Sequence, residues 1–344
     1  MNAAFFRRHG GPEVVEFGPV PTPQPGAGQV RVRVRAASLN HLDLWVRRGL
    51  PVAIPLPHVG GSDVAGEVEA LGPGVEGIEV GSRVVVDPSL DYDWYDTPAP
   101  GGALPARPFA VLGEHCWGGF AESVVVPAAN LMALPEGVPF QRAAAAGLVF
   151  VTAWHALLAR ARLQPGERVL ITGGSGGVST AAIQIARRAG AQVFVVTSGG
   201  DSVERVRALG AHVVFDRLEG PWGKALWAET GKRGVDVVLD SVGQALWPDL
   251  LRALAPYGRL VTYGGTTGPE GATSIPLVFW KQLSILGSTM GTPADFRRVM
   301  DLVFRGELSP VIHDVLPLRE ARAAHETLEA GHVFGKIVLI PEDD

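Results

Sequence analysis

The hydrophobic pattern of the chain changes character near Pro139. Before it, short alternating or apolar runs are broken by glycine or proline roughly every ten residues, a pattern typical of a compact β-domain. These runs predict strands over residues 30–36, 63–71, 82–86 and 121–126. We therefore expect a barrel-like β-domain in the first part of the chain.

Beyond Pro139, helical and strand patterns alternate, which favours a doubly wound parallel sheet. The predicted segments are 142–161, 168–172, 179–189, 192–197, 203–209, 213–216, 235–240, 246–254, 259–263 and 283–286, followed by helices over 294–305 and 318–330. A last strand, 336–340, is expected to return to the first domain. We assign residues 1–149 and 289–344 to the β-rich domain and 150–288 to the parallel-sheet domain.

Residues 168–179 read Arg-Val-Leu-Ile-Thr-Gly-Gly-Ser-Gly-Gly-Val-Ser, so a buried strand ends at a glycine cluster and a helix begins at once. Glycine lets main chain approach a phosphate where a Cβ would collide, and a helix N-terminus suits an anion. The third glycine of the usual fingerprint is replaced by Ser179. The strand, the helix and the following strand together span about thirty residues, as in dinucleotide-binding βαβ units. The loop therefore predicts a dinucleotide site formed by Gly173, Gly174, Ser175, Gly176, Gly177 and Val178.

Composition narrows the possible partners. A chain of 344 residues with 47% hydrophobic content has material for two cores. Its net charge of −5, with both signs scattered, argues against a nucleic-acid partner. No apolar run reaches the roughly eighteen residues of a membrane span. With Cys116 as the single cysteine and no secretory pattern in the first twenty residues, we expect a cytoplasmic protein with a small-molecule substrate.

Several stretches together resemble the medium-chain dehydrogenase/reductase superfamily, which includes zinc alcohol dehydrogenases and zinc-free quinone or enoyl reductases. They span nearly the whole chain, at residues 38–44, 61–68, 112–122, 152–157, 173–177, 240–243 and 335–339. The resemblance implies an α/β protein with a GroES-like β-barrel substrate domain and a Rossmann domain. It also implies hydride transfer with NAD(P)(H) in the cleft between them.

The resemblance also locates the catalytic metal of zinc members, and there this chain departs from the pattern. Asn40, Ser62 and Leu148 stand where those members have cysteine, histidine and cysteine. Zinc in proteins requires several sulfur or nitrogen donors, so we expect no zinc. The neighbouring Asp63 is interpreted as orienting a loop near the cofactor by hydrogen bonds.

The segment 88–113 resembles the lobe that carries four cysteines and a structural zinc in many relatives, but these cysteines are absent. We interpret its acidic residues as a solvated turn, not as metal ligands: Asp91, Asp93 and Asp96.

Without a metal, hydrogen-bond donors must polarise the substrate, and a side chain or water must supply a proton. Asn40 can offer its amide N–H to a substrate oxygen, and His41 titrates near neutrality and can pass a proton. Asp43 can orient His41 or the nicotinamide ribose. The alternative for His41 is a solvent-facing residue at a helix start. The hydroxyl relay of zinc members is replaced by Leu42.

The resemblance also implies positions that contact the cofactor. Thr152 would pack against the nicotinamide, Gly264 and Gly265 would meet its carboxamide, and Lys336 would reach the phosphates. Val242, in the Asp-Ser-Val-Gly stretch, belongs to the same set.

The choice between NAD and NADP depends on the end of the second Rossmann strand, where NAD enzymes place an acid. Here Ser198 follows the strand and can bind a 2′-phosphate, with Arg205 or Arg207 close enough to help. Asp201 can instead fold back onto the ribose, as in NAD enzymes. We favour NADP(H) over NAD(H).

The sequence thus predicts a zinc-independent NAD(P)(H) oxidoreductase for a small apolar alcohol or carbonyl, quinone or activated alkene. Two alternatives stay open: an alcohol dehydrogenase with atypical zinc ligands, and a non-catalytic NADPH-binding sensor or partner protein. The apolar strand 283–286 is expected at a sheet edge, where it can pair with its twin in a homodimer or tetramer.

Overall fold

The computed structural model of the protein describes residues 1–51, 53–90 and 109–342, so the three aspartates of the lobe lie outside the described residues. The chain divides into two compact units. The first consists of Met1–Val149 together with Thr292–Asp344, and the second of Phe150–Gly291.

The strands, in chain order, are β1 (Asn2–Phe5), β2 (Glu16–Pro19), β3 (Gln29–Ser38), β4 (Asp63–Leu71), β5 (Arg83–Val86), β6 (Ser89–Leu90), β7 (Ala110–Val111), β8 (Ser123–Pro127), β9 (Leu131–Ala133), β10 (Arg168–Ile171), β11 (Gln192–Thr197), β12 (Val213–Asp216), β13 (Val235–Asp240), β14 (Leu254–Thr262), β15 (Ser284–Gly287), β16 (Ile312–Pro317) and β17 (Lys336–Ile340).

The α-helices are α1 (His41–Arg48), α2 (Phe140–Ala144), α3 (Gly147–Trp154), α4 (Gly177–Arg188), α5 (Gly200–Ala208), α6 (Trp222–Glu229), α7 (Trp247–Ala253), α8 (Ile275–Lys281), α9 (Pro293–Phe304) and α10 (Ala321–Glu329). A π-helical turn covers His155–Arg160, and 3₁₀ turns cover Pro12–Val14, Ala128–Asn130 and Leu318–Glu320. Among the described residues, no helix combines the length and apolar character needed to cross a bilayer.

The first unit is built on a seven-stranded sheet with the order β16-β17-β3-β4-β5-β9, and β8 also pairs with β3. Strand β3 shows why it forms: its valines alternate with arginines, so one face is buried and the other is charged. Arg31 and Arg35 on that charged face pair with Glu69 and Glu67 of β4.

The last strand confirms the prediction that the chain returns to its first domain. β17 pairs antiparallel with β3, with Val338 opposite Ser38. The Leu39 amide also donates to the Ile337 carbonyl at 3.0 Å. This register brings Lys336 to Asn40, the residue that precedes α1 and caps its N-terminus.

The second unit contains a six-stranded sheet with the order β12-β11-β10-β13-β14-β15, and each neighbouring pair is parallel. The chain order reverses between β10 and β13, which is the switch point where doubly wound sheets bind nucleotides. Buried side chains from its strands and helices, among them Leu170, Val238 and Leu250, form its core. The predicted doubly wound sheet is confirmed.

The expectation of one helix over 142–161 was wrong, because the structure divides it into α2, α3 and the π-helical turn. The reason is tertiary. Asp63 Oδ1 accepts a 2.6 Å hydrogen bond from the Leu148 amide in the first turn of α3. A Cβ on Gly147 would lie 2.5 Å from the same oxygen, so this close approach requires glycine.

Candidate functional site

The glycine loop leaves β10 and enters α4 with a tightly fixed backbone. Gly173 has a φ of +59°, and the Gly174 amide donates to the Val196 carbonyl of β11 at 3.2 Å. A Cβ on Gly174 would lie 2.7 Å from Val195 Cγ1, so no larger residue fits there. No side chain of the described residues caps α4, which leaves its first-turn amides available to a phosphate. The loop therefore fits a dinucleotide's pyrophosphate.

Three other predicted cofactor residues of the second unit follow the same ends of neighbouring strands. Ser198 follows β11, Val242 follows β13, and Gly264 follows β14 after one residue. A Cβ on Gly173 would lie 3.8 Å from Val242 Cγ2. The structure thus brings the glycine loop and Val242 together. Gly265 lies beside Gly243, since a Cβ added to Gly243 would lie 3.0 Å from the Gly265 Cα.

Asp240, the last residue of β13, supports this edge of the sheet from inside. Its carboxylate accepts hydrogen bonds from Thr172 Oγ1 at 2.6 Å and from the amides of Val242 and Gly243 at 3.1 and 2.9 Å. Burial raises the pKa of Asp240, although these three hydrogen bonds act in the opposite direction. Asp240 therefore holds the β10 and β13 ends in one arrangement.

At the end of β11, the side chain that meets Ser198 is Arg217, which donates from Nε to Ser198 Oγ. The Asp216 carboxylate accepts hydrogen bonds from the Gly199 amide at 3.1 Å and from the Leu218 amide at 2.9 Å. It therefore binds backbone amides that follow both strands. Arg205 lies exposed in the last turn of α5. The structure thus places the Arg217 guanidinium beside Ser198.

Thr152 lies in α3 and is buried, with its hydroxyl 3.9 Å from Met290 Sδ. Its predicted contact with the nicotinamide stays a prediction.

In the first unit, three buried polar side chains form one cluster: Asn40, Asp63 and Lys336. Lys336 Nζ donates to Asn40 Oδ1 and to Asp63 Oδ2, the latter at 3.0 Å. Asn40 Nδ2 donates to Asp63 Oδ2 at 3.0 Å and to the Ser38 carbonyl at 3.4 Å. Both amide hydrogens of Asn40 thus have protein acceptors, and the acceptors of Lys336 in this structure are protein side chains.

Asp43 fixes the start of α1. Its Oδ2 accepts from the Asn40 amide at 2.7 Å and its Oδ1 from the Gly61 amide at 3.0 Å. Burial raises the pKa of Asp43 to about 6, against the lowering effect of these two hydrogen bonds. The structure therefore shows Asp43 positioning the backbone of Asn40; its suggested contact with His41 stays a prediction.

His41 is the first residue of α1, and its side chain is exposed. Desolvation by the surrounding protein, followed by the positive charges of Lys336 and Arg48, lowers the pKa of His41. The neutral imidazole is therefore favoured near neutral pH.

The residues at the expected metal position do not fit zinc. Asn40 and Ser62 offer neutral oxygens, Leu148 offers none, and the Lys336 ammonium lies 3.0 Å from the remaining carboxylate, Asp63. Within the described ranges, no group of three or more His, Cys, Asp or Glu side chains is arranged to hold a metal ion.

The sequence analysis missed Arg217, the supporting role of Asp240 and the pairing of Lys336 with Asp63. Arg217 had a usable signal, since it comes directly after strand β12 and the carboxyl ends of parallel strands share one edge. The Lys336 pairing had none, because 273 residues separate it from Asp63.

Comparison with known proteins agrees with this geometry. Residues 26–136 match the alcohol dehydrogenase GroES-like domain family, and residues 177–305 match the zinc-binding dehydrogenase family. The chain is 32% identical to a quinone oxidoreductase of Pseudomonas aeruginosa, over 98% of both chains.

Two solved structures are also similar. One is described as an NAD-dependent alcohol dehydrogenase, with 41% identity, a TM-score of 0.92 and coverage of 99% of this chain and 100% of that one. The other is the crotonyl-CoA carboxylase/reductase AntE in complex with NADP, with 27% identity, a TM-score of 0.89 and coverage of 99% and 95%. The chain therefore belongs to the medium-chain dehydrogenase/reductase superfamily and is an NAD(P)-dependent oxidoreductase.

Proposed function

We propose that this chain is a zinc-independent NAD(P)H-dependent reductase of small apolar carbonyl compounds, quinones or activated alkenes. The observation that supports the proposal is the Asn40–Asp63–Lys336 cluster, in which Asn40, aligned by the resemblance with a zinc ligand, accepts a hydrogen bond from the Lys336 ammonium. Zinc sites need several thiolate or imidazole donors, and a fixed ammonium opposes a second cation nearby.

The proposed cofactor is NADP(H) in preference to NAD(H). Ser198 and Arg217 supply a hydroxyl and a guanidinium at the end of β11, where an NAD enzyme would place an acid. Asp201, the nearest acid along the chain, lies exposed in the first turn of α5. Arginine recognises phosphate oxygens with charge-assisted hydrogen bonds, which favours the phosphorylated cofactor.

When bound, the nicotinamide supplies or accepts a hydride. This chain's own residues would orient the substrate and transfer the proton that accompanies the hydride. Asn40, with both amide hydrogens engaged, serves to orient Asp63 and Lys336, while neutral His41 or water exchanges the proton with solvent.

We also infer a homo-oligomer that forms through β15, the edge strand of the parallel sheet. Beside the sheet, helix α8 exposes Ile275, Phe279 and Trp280, the last with 78% of its surface accessible. Large exposed apolar side chains next to an unpaired strand edge favour a second copy as partner.

The test combines metal analysis with turnover. We expect the purified protein to contain substoichiometric zinc and to oxidise NADPH with an aldehyde, quinone or enone at a rate unchanged by a chelator. Loss of activity on chelation, with recovery on adding zinc, would establish the zinc-dependent alternative. Micromolar NADPH binding without turnover of any acceptor would establish the sensor alternative.

A further inference from the structure

The first unit encloses a small cavity with two ionisable side chains in its wall. Asp43 of α1 and His325 of α10 line this cavity, together with apolar side chains and Gly60. All the lining residues are buried, and the two ionisable ones are 3% and 4% exposed. The cavity leaves about 10 Å³ for the centre of a guest molecule, which is about what one water molecule needs.

His325 presents a hydrogen-bond donor that lacks an acceptor. Its Nδ1 lies 3.3 Å from Arg47 Nη1, and a guanidinium only donates, so Nδ1 accepts and the proton of the neutral ring is on Nε2. Burial lowers the pKa of His325 to about 3, which keeps the ring neutral. In the part of the chain that the structure describes, Nε2–H has no acceptor. Because buried donors are generally paired, a partner is expected inside the cavity.

Asp43 has unused capacity as an acceptor. Its Oδ1 accepts from the Gly61 amide at 3.0 Å and its Oδ2 from the Asn40 amide at 2.7 Å. An ionised carboxylate can accept about four hydrogen bonds, and these two amides supply one to each oxygen. Asp43 can therefore accept a further hydrogen bond from a molecule in the cavity.

Gly60 keeps the space between Asp43 and Phe120 open. A Cβ on Gly60 would lie 3.3 Å from Asp43 Oδ1 and 3.3 Å from Phe120 Cδ2. Any larger residue would therefore crowd the cavity wall. Cavities that stay dry are lined by apolar groups, whereas this one combines a donor and an acceptor.

We propose that this cavity is the binding site of one ordered water molecule, which accepts a hydrogen bond from His325 Nε2 and donates one to the Asp43 carboxylate. The water connects α10 with the residue that fixes the start of α1. Since Arg47 donates to both His325 and Glu329, the connection extends to the surface of the unit. The site does not depend on the proposed reductase function.

The competing arrangement is a dry cavity in which the His325 N–H points at the face of the Phe120 ring. These two rings meet edge to face, with an interplanar angle of 85° and centroids 6.0 Å apart. An N–H donated to an aromatic face is a weak hydrogen bond and requires no water.

The experiment uses the full-length protein at about pH 8, where Asp43, whose pKa burial raises to about 6, is ionised. Magnetic relaxation dispersion of the water oxygen counts long-lived internal waters, and a high-resolution crystal structure locates them. Gly60→Ala and Val46→Ile each add a methyl group to the cavity wall. Gly18→Ala is the matched control, because a Cβ there meets nothing within 4 Å.

We expect the parent crystal to show a water within about 3.2 Å of both His325 Nε2 and the Asp43 carboxylate. Each filling variant should hold one long-lived water fewer than the parent, and Gly18→Ala should keep the parental number. If one filling variant fails to fold, the other and the parent crystal decide the question. A parent cavity without density, a water bonded to only one of the two side chains, or an unchanged number in the filling variants would overturn the proposal.

Discussion

Arg217 Nε donates a hydrogen bond to Ser198 Oγ, so the side chains that follow two neighbouring parallel strands meet at one edge of the sheet. Ser198 comes directly after β11, and Arg217 directly after β12. This pair places a guanidinium beside the residue from which a dinucleotide's 2′ substituent is expected to be recognised.

Replacing Arg217 by alanine should weaken NADPH selectively. A charge-assisted hydrogen bond contributes about 1.5 to 3 kcal/mol, which corresponds to a roughly 10- to 100-fold rise in the NADPH Kd. NADH lacks the phosphate and should bind the variant as it binds the parent. Fluorescence titration with both cofactors measures the change.

The matched control for that measurement is Arg252→Ala, because Arg252 is an exposed arginine paired with Asp249 on α7. Its NADPH Kd should not change. Equal weakening of both cofactors by Arg217→Ala would contradict the assignment.

Arg47 should matter far more for stability than its neighbour Arg48. The Arg47 side chain is fully buried and donates to Glu329 of α10, to the Gly10 carbonyl and to His325 Nδ1. Burial, with Arg47 next in effect, lowers the pKa of His325 to about 3, so its neutral ring can accept.

Arg47→Met should therefore lower the free energy of unfolding by about 2 to 3 kcal/mol, since it leaves the buried His325 Nδ1 without its donor and the half-buried Glu329 with Arg48 alone. Arg48→Met removes a half-exposed partner of the same Glu329 and should cost less than about 1 kcal/mol. Denaturant titrations of both variants measure the difference. Similar losses would show that burial of Arg47 is not what makes the contact strong.

Asp87 should make the protein less stable as the pH rises from about 4 to about 7. Burial raises the pKa of Asp87 to about 7, so the folded state keeps a proton that the unfolded chain releases near its ordinary value. Where the folded state binds more protons, stability falls with increasing pH, and above pH 7 this contribution levels off.

The check is the melting temperature across this range for the parent and for Asp87→Asn, which should lose part of the slope. Asp249→Asn, at an exposed aspartate paired with Arg252, serves as the control and should retain it. An unchanged slope in Asp87→Asn would exclude Asp87 as the source.

The β15 edge should determine the oligomeric state. Ile285→Glu, within the strand, and Trp280→Glu, on α8, each place a charge where a second copy is expected. We expect light scattering to show an oligomer for the parent and a shift toward monomer for both variants. Trp227→Glu changes an exposed tryptophan of α6 and should leave the mass unchanged. A monomeric parent at high concentration would refute the inference.

Much of the fold could be predicted from the sequence, because the patterns that specify its strands and loop involve residues close together in the chain. The alternating valines of β3, the apolar runs of β10 and β13, and the glycines of the loop each reflect a backbone conformation set by neighbouring residues. Their order along the chain then leaves few topologies, so the doubly wound sheet and the glycine loop that ends β10 followed from the residues alone.

The tertiary structure decided what depends on residues far apart in the chain. The break between α2 and α3 reflects the approach of Asp63, and the register of β17 against β3 is what delivers Lys336 to Asn40. Sequence periodicity carries no information about such pairings, since the energy of a buried ion pair depends on which distant group the fold brings within hydrogen-bonding distance. The sequence could therefore reveal that metal ligands were missing, whereas only the folded chain showed which cation lies beside Asp63.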